Sequence, residues 1–253
     1  TDEPQGQVYY NNAGTMMDRN LGATSATPGD ISALGLLYQW GRKDPFLGSS
    51  VLVDEDGENG VVSMSTITWP APVESDPVTG TIEYAVTNPT TFIMYNYRTL
   101  GYDVCNFDWY YTGSRDICDN TRWLTSENEK SVYDPCPFGW RVPDGGEDGV
   151  WAKAFGPSYD YSEIYDFSNQ GMDFSGRLGS DSVIWYPFTG VLERDNELFN
   201  VGAEAAYLSS SPEVVPSFSD GSSGANCFYI SVDGHNLNSI LRVCGSSVRC
   251  IKE

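Results

Sequence analysis

The stretch YDPCPFGWRVP, residues 133–143, places Pro135, Pro137, Pro143, Gly139, Cys136 and Trp140 in one short run. Proline fixes the backbone φ and glycine releases it, so the run reads as a rigid turning connection and not as helix or strand. Two questions follow: what such rigidity supports, and which cysteine pairs with Cys136.

The cysteines are Cys105, Cys118, Cys136, Cys227, Cys244 and Cys250, with no C-x-x-C pair and a single histidine, His235. A zinc site of cysteine and histidine is therefore not indicated. An even cysteine count in a Tyr-rich, Gly-rich, Lys-poor chain points to disulfides and an oxidising compartment. Counting alone leaves the pairing open.

The 253-residue chain carries 35 acidic and 14 basic side chains, a formal charge of −21. Phosphate binding needs clustered Lys and Arg, so nucleic acid and anionic membrane are excluded as partners. Nothing approaches the roughly 18 apolar residues of a membrane-spanning helix, so no membrane insertion is expected. The opening TDEPQGQVYY lacks the basic and apolar regions of a signal peptide, which implies a removed leader or a piece of a longer protein.

Two segments predict helices. In GDISALGLLYQWGR (29–42), Asp30 is placed to cap a helix whose Ile31, Leu34, Leu37 and Tyr38 share a face. In EDGVWAKAF (147–155), Asp148 is the expected cap, with Val150, Trp151, Ala154 and Phe155 on one side. Strands are expected near 182–192, 205–211, 227–233 and 247–253, separated by Gly-, Asp-, Asn- and Ser-rich loops. No internal repeat or linker divides the chain. A single α+β domain over residues 1–253 is predicted, with a decorated insertion at about 44–130 that is poor in periodicity and rich in Thr, Asn, Pro and aromatics. Cys105 and Cys118 are placed to tie that insertion.

Seven motifs occur in order: MMDRNLGATSA (16–26), GLLYQWGRKDPF (35–46), IEYAVTNPTTFI (82–93), YDPCPFGWRVP (133–143), WYPFTG (185–190), YLSSSP (207–212) and VRCIKE (248–253). Together they resemble the major paralogous domain first named in Fibrobacter, abundant in surface proteins of Bacteroides and its relatives, including fimbrillin-like tip subunits and putative adhesins. The resemblance spans nearly the whole chain. It implies a C-type-lectin-like fold: short helices flank a twisted, mainly antiparallel sheet in which the N- and C-terminal parts meet, and long loops carry ligand contacts. After Pro143 the sequence departs from the family pattern, which leaves the start of the second helix uncertain by several residues.

In that fold the segment before the second helix lies beside the terminal strand, so the resemblance implies a Cys136–Cys250 disulfide, and a loop of that length contributes about 4 to 5 kcal/mol. Trp140 is then expected in the core. Cys227 and Cys244 remain; they flank a predicted hairpin turning at DGHN, and their pairing would staple it.

Sugar recognition lays an aromatic ring on an apolar sugar face and grips hydroxyls with carboxylates, amides or calcium. The segment FDWYYTGSRDICDN offers Trp109, Tyr110 and Tyr111 beside Asp108, Asp116, Asp119 and Asn120. ERDNELFN offers Glu193, Asp195, Asn196, Glu197 and Asn200. The competing reading is that the aromatics bury the insertion. No cofactor is expected, and calcium lacks a motif: EF-hand alignments on Gly57 or Gly149 place Ser63 or Phe155 where the bidentate Glu belongs. The Glu-Pro-Asn, Gln-Pro-Asp and Trp-Asn-Asp signatures of calcium-dependent lectins are also absent.

The expected function is a non-catalytic cell-surface adhesion or ligand-recognition module of a fimbrial tip or surface protein. It would bind a host or bacterial glycan or surface protein outside a Gram-negative cell. Contact with other fimbrial subunits, or a purely structural pilus cap or stalk role, is the alternative, and a β-sandwich domain before Thr1 would fit either. A remote alternative is a thiol- or copper-dependent enzyme related to the formylglycine-generating enzymes, suggested only by the spacing of Cys244 and Cys250.

Overall fold

The computed structural model describes residues 3–52, 70–95, 107–113, 118–156, 158–159, 165–166, 168–177, 183–214 and 223–253. In chain order its elements begin with β1 (Gly6–Tyr9), β2 (Gly14–Met17), β3 (Leu36–Gln39), β4 (Phe46–Leu47), β5 (Val73–Glu74), α1 (Ile82–Thr87), β6 (Ile93–Met94), β7 (Trp140–Arg141) and α2 (Val150–Phe155). There follow β8 (Ser158–Tyr159), β9 (Tyr165–Asp166), β10 (Gly171–Asp173), β11 (Trp185–Pro187), β12 (Thr189–Leu192) and β13 (Leu198–Val201). The chain ends through β14 (Glu204–Val214), β15 (Ser223–Ser231), β16 (Gly234–Leu241), β17 (Gly245–Ser247) and β18 (Ile251–Lys252). Among the described residues the protein is mostly β-sheet with two short helices.

The chain's two ends meet in a sheet of order β1-β2-β18-β7, with Ile251 opposite both Met16 and Arg141. A larger nine-stranded sheet runs β4-β3-β17-β12-β14-β15-β16-β8, with β13 beside β12. Its centre is the meander β14-β15-β16. Period-two alternation sends Ala205 and Tyr207 to one hydrophobic cluster and Ala206 and Leu208 to others, so β14 is buried on both faces. The expected β15–β16 hairpin forms, but it turns at Val232 and Asp233, and Gly234, His235 and Asn236 of DGHN are already paired in β16. A break in register between Leu208 and Pro212 turns the serines of YLSSSP toward the loop after β7, where Ser210 N–H donates to Pro143 O (2.8 Å) and Gly145 N–H to Ser211 Oγ (3.0 Å).

The helix predicted over 29–42 does not form. Asp30 does cap, accepting from Ser32 N–H at 2.9 Å, but the turn it starts is a single 3-10 turn, Ile31–Ala33. Gly35 then adopts φ 76°, with no room for a Cβ against Leu21 O, and Leu36–Gln39 enters the large sheet as β3. Leu37 and Tyr38 are buried in different clusters, and an apolar run buried on both faces lacks the one-sided pattern of a helix.

α2 buries Val150, Trp151, Ala154 and Phe155 as expected, although Gly149, and not Asp148, is its cap. Trp151 stacks on Phe228 with centroids 5.5 Å apart, and Phe155 on Phe174 at 4.3 Å. α1 lies in a stretch not read as helical; its β-branched Ile82, Val86 and Thr87 are poor helix formers, and Thr81 holds the first turn by accepting from Tyr84 N–H.

The described parts of the 44–130 region join the sheet's own clusters through Phe46, Ala85, Phe92, Ile93, Trp109 and Trp123. The Cys136–Cys250 disulfide forms, closing 114 residues. Around it, the Asp134 carboxylate accepts from Cys136 N–H and Val142 N–H, each at 2.8 Å. The Lys130 ammonium donates to the carbonyls of Cys136 (2.7 Å), Pro137 (2.9 Å) and Trp140. The rigid run is thus an anchor for the terminal strand. Trp140 is only half-buried at the cluster edge, a correction to its expected burial: the chain turns at Gly139 (φ 80°), and neighbouring Phe138 is fully exposed.

Candidate functional site

The described aromatic and acidic residues of 107–113 and 118–120 are tied into the fold. Trp109 is 2% exposed, and its indole N–H donates to Trp40 O at 2.7 Å. Arg122 lies 3.4 Å from the Tyr110 ring centroid and Arg242 lies 4.2 Å from that of Trp40. Arg242 also pairs with buried Asp108 at 3.3 Å and donates to Asn120 Oδ1 at 2.5 Å.

Asp119 accepts from Thr121 N–H at 2.8 Å and pairs with Arg122 at 3.2 Å. Burial raises the Asp108 carboxyl against the pull of Arg242. At Asp119 burial is outweighed by the Thr121 hydrogen bonds and Arg122, and its carboxyl titrates below the usual range. Trp109 is therefore not a ligand platform, because its ring is covered by the core it helps to build. Asp119 and Asn120 hold the loop to Arg122 and Arg242. Tyr110 and Tyr111 are half-buried, and Asp116 lies outside the described residues.

The second group is a hairpin turn between β12 and β13. Glu193 N–H donates to Glu197 O, Asn196 N–H to Glu193 O (each 2.8 Å), and Asn196 takes φ 68°, a conformation Asn tolerates better than most residues. Asp195 Oδ1 accepts from Glu197 N–H at 3.3 Å. Glu193 accepts from the Cys244 thiol at 3.7 Å, leaving Asp195 and Glu197 as the exposed carboxylates of the turn. Asn200 donates to Glu204 Oε1 at 2.8 Å in the next turn.

The proposed Cys227–Cys244 staple is absent, and both are free, buried thiols. The hairpin itself forms, but register puts Leu208 and Asn238 opposite Cys227, while Cys244 has already turned away toward β17. Burial, with Glu213 near Cys227 and Glu193 near Cys244, pushes both thiols far above their ordinary range. Neither is the exposed thiolate that nucleophilic chemistry requires. Cys118 is disulfide-bonded; Cys105, its expected partner, lies outside the described residues. His235 sits buried among Phe155, Phe174 and Phe228, not at an exposed turn tip.

A surface depression of about 450 Å³ lies along α1, lined by Pro77, Val78, Thr81, Glu83, Tyr84 and Thr87. The hydroxyls of Thr81 and Thr87 are committed to backbone carbonyls, so Glu83 and Tyr84 supply its available polar groups. Sequence reasoning missed this site because α1 itself was missed.

Among the described residues there is no group of three or more His, Cys, Asp or Glu placed to hold a metal ion, and no helix long and apolar enough to cross a membrane. No family model, curated protein or solved structure matches the chain.

Proposed function

We propose that this chain is a non-catalytic recognition module of a fimbrial tip or cell-surface protein, acting outside a Gram-negative cell and binding a glycan or surface protein through its loops. The lectin-like plan implied by the seven motifs belongs to the same proposal. The observation that carries it is the way Arg242, at the end of β16, holds the described segments 107–113 and 118–122 through Asp108 and Asn120, while Arg122 joins the two segments through Tyr110 and Asp119. A loop held in this way meets its ligand without paying to order itself, which is what a binding surface requires. The Cys136–Cys250 bridge and the strong acidity fit an oxidising, extracellular setting. Glycan arrays and arrays of host and bacterial surface proteins, probed in calcium-containing buffer, test it: a reproducible hit is expected, and blanks on both would overturn it.

A second reading, a structural cap or stalk subunit, is favoured by Phe138, which stands fully exposed beside strand β7 at the edge of the terminal sheet. Phe138→Ser would then weaken association with neighbouring subunits while leaving any array binding unchanged. The thiol- or copper-dependent alternative draws no support, since Cys250 is bonded to Cys136 and Cys244 is buried.

A further inference from the structure

We infer that the outer part of the β14-β15-β16 face is a binding strip for a neutral, hexose-based glycan, with Tyr229, Asn236 and Asn238 as its contact residues. The inference rests on the recognition reading above, keeps its ligand among glycans, and places the contact on the sheet face instead of the loops.

Residues directly opposite in an antiparallel pair share a face. Register therefore aligns Ala206, Tyr229 and Asn236 in one row, and Leu208, Cys227 and Asn238 in the next. Each row runs from a buried apolar residue near the sheet centre to an exposed amide on β16. Asn236 lies opposite Ser158 of β8, whereas past it no strand pairs with the outer side of β16 among the described residues, so Asn238 borders an open edge.

Tyr229 is half-buried, packed against the cluster containing Ala206 and Cys227. Its hydroxyl donates to Glu204 Oε2, and Asn200 donates to Glu204 Oε1 at 2.8 Å. The carboxylate is thus fully engaged and works as a clamp that fixes the ring. Asn236 has no side-chain partner among the described residues. Asn238 Oδ1 accepts from Ser239 N–H at 2.8 Å, which leaves its NH₂ to donate outward.

Two amides on one strand face stand about 7 Å apart. A hexose presents an apolar C–H face and a rim of hydroxyls that both donate and accept. A fixed tyrosine ring meets the first requirement, and amides that donate and accept meet the second. Charge selects against anionic sugars: β14, β15 and β16 contain no Lys or Arg, whereas Glu204, Glu213 and Asp233 lie on or beside them. A sialylated or sulfated glycan would find repulsion and no cation to pair with.

The test is saturation-transfer NMR and titration of the intact, oxidised chain with lactose, cellobiose, α-mannobiose and N,N′-diacetylchitobiose, alongside 3′-sialyllactose and sulfated lactose. At least one neutral disaccharide should bind, and Asn236→Ala/Asn238→Ala should weaken it by about tenfold or more, the loss expected for two hydrogen bonds. Glu83→Gln, in the depression along α1, should leave it unchanged. Both amides are exposed, so the double variant keeps its fold, checked by its urea midpoint. Equal binding by the double variant would overturn the site while leaving recognition intact. Binding of the acidic sugars alone would overturn the ligand class. No binding of any sugar, with a positive protein array, would overturn this inference and not the recognition reading; blanks throughout would overturn both.

Discussion

Arg242 and Asp108, 134 positions apart in the chain, form an ion pair of 3.3 Å in which both side chains are almost wholly buried. One partner follows β16 and the other stands in the described segment 107–113, so the pair fastens that segment to the sheet. Asp108→Ala strands a buried guanidinium and should cost about 3 to 5 kcal/mol, read as a lower urea midpoint. A change below about 1 kcal/mol would show that the loop is held mainly by its aromatic contacts.

Trp109→Ala should cost about 3 to 5 kcal/mol by cavity formation. Because the ring is covered, any glycan or protein bound by the native chain should still be bound by the folded fraction of the variant with unchanged affinity. A variant of native stability that had lost binding would instead place Trp109 at the ligand.

Burial raises the carboxyls of Asp108 and Asp134 despite their hydrogen bonds and cationic neighbours. A folded state that holds a proton more tightly than the unfolded chain gains stability as pH falls from the raised value toward the ordinary carboxylate value, about 4, and loses it as pH rises again. Asp30, Asp76 and Asp119 are lowered, so their contribution is present above the ordinary value and disappears only as pH falls through the lowered one. Urea midpoints should therefore rise as pH is taken from 7 toward about 4 and fall below that, and Asp134→Asn should flatten the rise. A midpoint falling steadily from neutrality would contradict this.

Lys130 donates to three backbone carbonyls of the anchor run. Lys130→Met should destabilise by about 3 kcal/mol, since charge-assisted bonds are lost and the carbonyls are left short of donors. Replacing Cys136 and Cys250 with alanine should cost about 4 to 5 kcal/mol by the loop-entropy relation. The two losses should fall short of additivity in a combined variant, because both hold the same 136–140 run in place.

Iodoacetamide applied to the folded, non-reduced protein should leave Cys227 and Cys244 unmodified, and both should label after unfolding in urea without reductant. Mass spectrometry reads this directly. Rapid labelling of Cys244 in the native state would contradict its burial beside Glu193 and reopen thiol chemistry.

Residue order alone carried the rigid, turning character of YDPCPFGWRVP, the β15–β16 hairpin and the buried face of α2, because prolines, turn residues and local periodicity act over a few positions; the bond from Cys136 to Cys250 was implied only by the resemblance. It did not separate β3 from a helix. LLYQW is apolar enough for either, and what selects the strand is Gly35 together with a place between two clusters assembled from distant segments. Nor could it decide the fate of Trp109. An aromatic beside carboxylates reads as a sugar platform until Trp40, Arg42 and Arg122 close over it, and Trp40 and Arg42 come from a distant part of the chain. The same holds for the cysteines: Cys227 and Cys244 flank a hairpin in sequence, yet register and the turn into β17 give each different neighbours. Composition and short motifs determine turns and charge, whereas burial, pairing and exposure are decided by long-range packing, and in this protein that packing settles which polar groups are spent on structure and which stay exposed.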